Sequence, residues 1–264
     1  MNDARGQSGV ATQTDFGATG KDKIIQYGGT DGVTQYIGGD AGNDWLLQVG
    51  GDQASTMTSD GGTGNDTIYQ YGGLGGNNMN VMGGGGSDTI IQVGGPGDNA
   101  MAAYGEDGND YIEVYGGSGN NFIFVDGGTG DEVLKIYGGP RRNDITYDVS
   151  TGSDVVTILG GGGSNTLTIN KLGQNFTLKD YQGRVLFQAG SGGSTITVAN
   201  LQRITVIGDN GKPIWQGGSA VAAVPSAIEL PLLLWELLVI RRHLVAYAAP
   251  EGGVGCVPRT NNGA

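Results

Sequence analysis

The chain has 264 residues, of which 54 are glycine, about three times the ordinary share, and its formal net charge is −12. A single cysteine and a single histidine exclude a disulfide-stapled scaffold and argue against a zinc site or a Cys/His catalytic pair. The negative charge argues against nucleic acid and anionic membranes as partners, and it suits a protein that binds cations.

The first 18 residues show no repeat, and we predict a flexible N-terminal lead over residues 1–18. The opening MNDARGQSGV lacks the basic and then apolar layout of a cleaved secretory signal. Export of this protein would therefore use another route, or a signal that is missing from this sequence.

An eleven-residue repeat begins at residue 19 and continues without a gap over fourteen units, for example TGNDTIYQYGG and GGSDTIIQVGG. The true period is 22, because every second unit carries an acid at its fourth place. These acids are Asp22, Asp44, Asp66, Asp88, Asp110, Glu132 and Asp154. The alternate units carry Val33, Ser55, Asn77, Asn99, Asn121, Asn143 and Asn165 at that place.

Short apolar runs between glycine-rich turns predict strands, and two runs in each 22-residue unit predict one coil of a solenoid. An apolar residue lies two places after each acid, from Ile24 to Val156, and a matching column runs from Gln35 to Leu167. We predict an all-β fold, a right-handed parallel β-roll or β-helix of about seven coils over residues 19–170. The three Met residues in the second column are predicted to pack in the core.

The turns resemble the RTX family, the hemolysin-type calcium-binding repeats with the consensus G-G-x-G-x-D-x-U-x. The matching stretches are GGTGNDTIY, GGGGSDTII, GEDGNDYIE and GGTGDEVLK. The resemblance covers roughly residues 19–170. Each unit here has eleven residues instead of nine, and alternate turns carry Asn instead of Asp.

The resemblance implies a secreted β-roll that binds several Ca²⁺ ions between successive turns, with turn carbonyls completing each shell. The ligands that it implies are the side chains of Asp44, Asp66, Asp88, Asp110, Glu132 and Asp154 and the carbonyls of Gly62, Gly64, Gly84, Gly86 and Gly108. Two positions depart from the pattern, because Glu106 replaces the second glycine of its turn and Glu132 is one methylene longer than Asp.

The residues alone leave a second interpretation, in which the acids only bend or solubilise the turns. Stacked coils lie about 4.8 Å apart, and neighbouring carboxylates at that spacing repel by roughly 1 kcal/mol in water. A column of seven therefore favours a counter-ion. For the Asn column we favour a metal-free amide ladder over a second row of calcium sites.

Two other columns lead to predictions about packing. The alternation along the strands places four glutamines inside the solenoid, and hydrogen bonds between them would satisfy their buried amides. They are Gln26, Gln48, Gln70 and Gln92. The outward columns from Ile25 to Thr157 and from Tyr27 to Leu159 form an apolar, aromatic face. We expect the C-terminal segment, another copy of the chain or another partner to cover this face, unless the assignment of inward and outward positions is wrong there.

After residue 170 the repeat fades, and residues 171–217 are predicted to form β-hairpins that cap the solenoid, with turns at Gln182–Gly183 and Asn210–Gly211. Residues 218–264 form an apolar tail with a predicted helix and then a disordered end. Its apolar run is too short for a membrane span. A docked or dimerising helix, an uncleaved export signal and a reading-frame error all stay open for this tail.

No catalytic constellation emerges, and we expect a protein that is not an enzyme. The leading hypothesis is a secreted or cell-surface, calcium-binding module, structural, adhesive or self-assembling, whose folding is coupled to ion binding and which uses type I secretion. The alternative is the non-catalytic C-terminal calcium module of a larger secreted enzyme. An ice- or surface-binding solenoid ranks lower, because that function needs a regular outward Thr array.

Overall fold

The computed structural model, which describes residues 2–5 and 12–218, is a parallel β-solenoid of about eight coils. Each coil contributes one strand to each of two sheets. Neighbouring strands pair at an offset of 22 residues, as in Ile68 with Ile90 and Met79 with Met101. The predicted all-β parallel solenoid, with two strands and 22 residues per coil, is confirmed.

The first sheet has eleven strands in the order β1-β3-β5-β7-β9-β11-β13-β15-β19-β17-β18. Their bounds are β1 Asn2–Arg5, β3 Lys23–Tyr27, β5 Trp45–Val49, β7 Thr67–Tyr71, β9 Thr89–Val93, β11 Tyr111–Tyr115, β13 Val133–Tyr137, β15 Val155–Leu159, β17 Phe176–Asp180, β18 Val185–Ala189 and β19 Ser194–Ala199.

The second sheet has ten strands in the order β2-β4-β6-β8-β10-β12-β14-β16-β20-β21. Their bounds are β2 Thr12–Phe16, β4 Val33–Gly38, β6 Ser55–Asp60, β8 Asn77–Gly85, β10 Asn99–Asp107, β12 Asn121–Asp126, β14 Asn143–Asp148, β16 Asn165–Asn170, β20 Arg203–Ile207 and β21 Pro213–Gly217.

The core lies between the two sheets and is filled by the alternate residues that the repeat predicts to be inward. Met57, Met79 and Met101 are buried in it, which confirms their packing role. The inward Gln column forms the expected ladder. The side-chain amide of Gln48 donates to Gln26 at 3.1 Å, and that of Gln70 donates to Gln48 at 2.8 Å.

The solenoid begins earlier than predicted. Strands β1 and β2 lie inside the expected flexible lead and pair in parallel with β3 and β4. In β2, Gln13 occupies the inward column of Gln35, and its side chain is buried against it. The alternation in TQTDF therefore adds one strand to the ten-stranded sheet, although the glycine turn that follows it differs from the later ones.

The C-terminal region combines the two predicted hairpins with one more solenoid coil. Strands β17–β18 and β20–β21 pair antiparallel, as predicted. However, β19 and β20 continue the two parallel ladders from β15 and β16, so the solenoid does not stop at residue 170. Residues such as Ile196 and Ile204 keep the inward columns filled, which explains the continuation.

The outer apolar face of the eleven-stranded sheet partly covers itself. Val93 and Tyr115 are buried in a small cluster with the half-buried Tyr71, Ile91 and Tyr137. A partner on this face stays a prediction. The predicted C-terminal helix lies outside the described residues, and the part of the chain that the structure describes contains no helix that could cross a membrane.

Candidate metal centre

The repeated acids line one corner of the solenoid, where the turn ends and the next strand of the eleven-stranded sheet begins. We call this column the acidic edge; it consists of Asp22, Asp44, Asp66, Asp88, Asp110, Glu132 and Asp154. From Asp44 to Asp154 each of these side chains is at most 2% exposed. Carboxylates that are this buried do little for solubility, so the solubilising interpretation loses its basis.

One oxygen of each buried Asp has a structural role. Oδ1 of Asp66 accepts the backbone N–H of Asp44 at 2.6 Å, and Oδ1 of Asp88 accepts that of Asp66 at 2.7 Å. In the same way, Oδ1 of Asp110 accepts the backbone N–H of Asp88. Each carboxylate therefore ties its own coil to the coil before it.

The other oxygen has no partner. Among the described residues, Oδ2 is buried and accepts no hydrogen bond in Asp44, Asp66, Asp88 and Asp110, and neither carboxylate oxygen of Glu132 has a partner. A buried polar group without a partner costs roughly 1–3 kcal/mol, and a charged group costs more. Five successive coils repeat this cost. We therefore expect a species other than the protein's own donors to bind these carboxylate oxygens.

Beside each of the four Asp oxygens, the first glycine of the turn lets two oxygen atoms approach so closely that a side chain would not fit. A Cβ placed on Gly83 would lie 2.7 Å from Oδ2 of Asp88 and 2.7 Å from the carbonyl oxygen of Gly105 in the next coil. Equivalent pairs of oxygens converge on Gly39, Gly61 and Gly105. We call these four positions the cradles.

The donor set of the cradles fits calcium. Carboxylate and backbone carbonyl oxygens are the ligands that Ca²⁺ prefers, in a shell of six to eight. Within residues 2–5 and 12–218, no group of three or more His, Cys, Asp or Glu side chains could hold a metal ion. Backbone carbonyls would thus have to supply most of each shell.

The five glycines that the resemblance implies as ligands set the backbone geometry of the turns. Their carbonyls are not the ones that approach the unpartnered carboxylate oxygens. Gly62, Gly64, Gly84, Gly86 and Gly108 all have positive φ. The carbonyl of Gly62 already accepts the N–H of Gly85 at 2.8 Å. The carbonyls that approach Oδ2 belong instead to Gly61, Gly83, Gly105 and Gly127, which the sequence reasoning did not single out. Their invariant spacing of 22 was the available signal.

The acidic edge changes character at its C-terminal end. Oδ2 of Asp154 accepts hydrogen bonds from the hydroxyls of Ser150 and Ser194, both at 2.8 Å, and from Tyr147 at 3.3 Å. Asp154 is therefore satisfied without an ion, unlike the four Asp residues of the cradles. Glu106, at the position of Gly62 and Gly84, has a φ of 71°, so it keeps the turn geometry at some cost in strain.

Burial opposes ionisation of the carboxyl groups from Asp44 to Glu132 when no ion is present. Desolvation raises the pKa of Asp66 and Asp110 to about 7, and the neighbouring carboxylate of Asp88 adds to the effect. Burial also raises the pKa of Asp44 and Asp88. For Glu132, burial and the adjacent Asp154 raise the pKa to about 9.

These shifts predict how the stability of the ion-free protein depends on pH. The folded pKa values lie above the unfolded ones, so the folded state binds more protons, and the stability it gains is complete below about pH 4 and lost as pH rises through about 7. We expect the urea midpoint in EDTA to fall between about pH 5 and pH 7.5. Saturating calcium should remove or reverse this trend. An EDTA midpoint that rises over the same interval would contradict the prediction.

The opposite corner, which we call the Asn edge (Asn77, Asn99, Asn121, Asn143 and Asn165), needs no ion. The side-chain amide of Asn121 donates to the carbonyls of Gly117 and Gly119 and to Oδ1 of Asn143, at 3.0, 3.1 and 2.8 Å. Its own Oδ1 accepts from Gly117 and Asn99. The predicted amide ladder is thus the observed arrangement.

Changing Asn121 to Asp should strongly destabilise the protein, with or without calcium. The substitution replaces an NH₂ group that faces three acceptor oxygens with an oxygen that those acceptors repel, at a cost of about 3 kcal/mol or more. Asn109→Asp is the matched control, because Asn109 is exposed and uses only Oδ1, toward the N–H of Asp131. Urea unfolding of both variants tests this, and equal losses would contradict it.

The two edges therefore differ in one respect: the Asn edge is saturated with hydrogen bonds, whereas the acidic edge leaves one oxygen open in successive coils. No family model, curated protein or solved structure matches the chain. The fold and the candidate site rest on this geometry and on the sequence pattern.

Proposed function

We propose that this protein is a secreted, calcium-binding β-solenoid, similar to RTX repeat proteins, whose folding is coupled to Ca²⁺ binding. It would act outside the cell as a structural, adhesive or self-assembling module. The observation that carries the proposal is the row of buried carboxylate oxygens without partners from Asp44 to Glu132. The calcium and the location are our inference from that row and from the resemblance of the turns.

Folding and ion binding would be coupled through the unpartnered oxygens of the acidic edge. Four orphaned Asp oxygens at roughly 1–3 kcal/mol each would remove much of the 5–15 kcal/mol that stabilises a typical domain. An ion that binds only the folded state returns ~2.7 kcal/mol per site when its concentration is ~100 times Kd. Low cytosolic calcium would keep the chain loosely folded for export, and high external calcium would fold it.

The geometry favours calcium over magnesium. Mg²⁺ requires near-octahedral ligands at about 2.0–2.1 Å and gives up its water reluctantly, whereas Ca²⁺ accepts irregular shells of carbonyl and carboxylate oxygens. The cradles offer one carboxylate oxygen and a neighbouring carbonyl on a repeating backbone. Mg²⁺ would keep most of its water at such a site, whereas Ca²⁺ can exchange its water for carbonyl oxygens.

Counting bound ions tests the proposal. Protein stripped with EDTA is dialysed to equilibrium against buffered calcium, and the metal content is measured by elemental analysis beside a magnesium sample. We expect about four calcium ions per chain, one for each cradle, and little magnesium. Less than one calcium per chain at millimolar concentration would overturn the proposal.

A further inference from the structure

A shallow groove crosses the outer face of the ten-stranded sheet, away from both edges. Its floor is made by outward residues of three adjacent strands, and its wall by aromatic residues. The floor residues are Thr56, Thr58, Asn78, Asn80, Ala100 and Ala102. Tyr104, Phe122 and Phe124 form the wall. The groove encloses about 590 Å³, within the range of small-ligand sites.

A step in side-chain size creates the groove. Along the outward columns the residues shrink to Ala100 and Ala102 in β10 and then enlarge to Phe122 and Phe124 in β12, which pairs with it. A second depression of about 340 Å³ shares Asn78, Ala100 and Phe122 and extends the groove toward the Asn edge. Together the two depressions extend across strands β6 to β14 and along them toward the Asn edge, which leaves room for an elongated ligand.

Neighbouring side chains hold the rings of the wall in place. The ring of Phe124 packs against that of Tyr104 with centroids 5.4 Å apart. The guanidinium of Arg142, from the following coil, lies 5.9 Å from the ring of Phe122. Phe122 is nevertheless 53% exposed. A fixed, exposed ring beside a floor of small residues forms a platform on which a flat apolar surface can stack.

The chemistry of the groove selects a class of ligand. Its floor offers hydroxyl and amide groups. The carboxylates near it, Asp144 at its margin and Asp98 in the adjoining depression, are negative, as is the chain with its net charge of −12, and this disfavours anionic polymers. Oδ1 of Asn80 is buried without a partner. The floor strands are paired on both sides, so no free backbone is offered to an extended peptide. The ligand should carry hydroxyls around uncharged, partly apolar rings.

We propose that this groove binds a neutral polysaccharide. The C–H face of a sugar ring would lie on Phe122 above Ala100, and its hydroxyls would meet Asn78 and the threonines of β6. This site is independent of the acidic edge, except that both need the folded solenoid. It would give the adhesive role a chemical target.

Affinity electrophoresis in calcium tests the proposal, with laminarin, galactomannan, hydroxyethylcellulose or dextran cast in the gel and alginate as an anionic comparison. We expect retardation by at least one neutral polymer and none by alginate. Phe122→Ala should weaken binding about tenfold, and Ala102→Phe, which fills the floor, should abolish it. The matched control is Phe16→Ala, because Phe16 is 58% exposed on the same sheet and outside the groove.

Circular dichroism in calcium confirms that each variant is folded, and sedimentation velocity reports self-association. The proposal is overturned if no neutral polymer retards the protein, or if Ala102→Phe leaves the retardation unchanged. Self-association that Ala102→Phe removes, without sugar binding, would overturn it in favour of a second copy in the groove. Calcium content measured on the same samples keeps this test separate from that of the acidic edge.

Discussion

Replacing both Asp66 and Asp88 by asparagine is expected to make the ion-free solenoid more stable and to weaken its response to calcium. Oδ1 of each residue would keep the backbone N–H that it now accepts. An amide nitrogen would replace each orphaned Oδ2, and it would face a turn carbonyl to which it can donate. Removing two buried oxygens without partners should raise the free energy of unfolding in EDTA by about 2 kcal/mol or more.

The same variant should be less stable than the wild type in saturating calcium, because two cradles lose their carboxylate. Urea unfolding in EDTA and in calcium measures both effects. Asp98→Asn combined with Asp131→Asn is the matched control, since it removes two exposed charges and leaves the cradles intact. If the variant at Asp66 and Asp88 lost equal stability in both conditions, a partner other than a cation would have to hold those carboxylates.

Adding one methyl group at Gly83 should have the second large effect. A Cβ there would lie 2.7 Å from both Oδ2 of Asp88 and the carbonyl oxygen of Gly105. The φ of Gly83 is not positive, so Gly83→Ala strains no backbone dihedral and acts only by filling the cradle. We expect a loss of roughly 1–3 kcal/mol from overpacking, and a weaker calcium affinity in addition.

Gly85→Ala provides the control from the same turn. A Cβ on Gly85 would meet nothing within 4 Å, and its φ is not positive either. This substitution should change stability by less than about 0.5 kcal/mol. Calcium titration calorimetry and urea unfolding of both variants test the cradle, and two equally neutral substitutions would show that it holds no ion.

The sequence predicts much of the fold because solenoid geometry is local. The offset of 22 residues determines which residues pair, so the Gln ladder and the Asn edge follow from spacing alone. What the spacing cannot predict is contact with residues outside the period. Ser194, which satisfies Asp154, lies 40 residues away along the chain, because the β17–β18 hairpin intervenes.

Two features of the site do not follow from spacing. Spacing placed the acids in one column, but a repeat pattern does not say which carboxylate oxygen bonds to the neighbouring backbone and which is left open. Nor does it distinguish the carbonyl of Gly61 from that of Gly62, since both glycines recur with the period. Strand β2 was missed because its sequence, TQTDF, is polar where the later strands are apolar, and because its turn, GATGKD, matches the later turns only in part.

A calcium titration of the EDTA-stripped protein, followed by far-UV circular dichroism with magnesium as the control, tests the central claim most directly. Filling the cradles should produce a cooperative gain of β-sheet signal with calcium, and magnesium should not reproduce it. A full β-sheet spectrum in EDTA at neutral pH that calcium leaves unchanged in signal and in thermal stability would contradict the account. The solenoid would then be held by its core, its Gln ladder and the Asn edge alone.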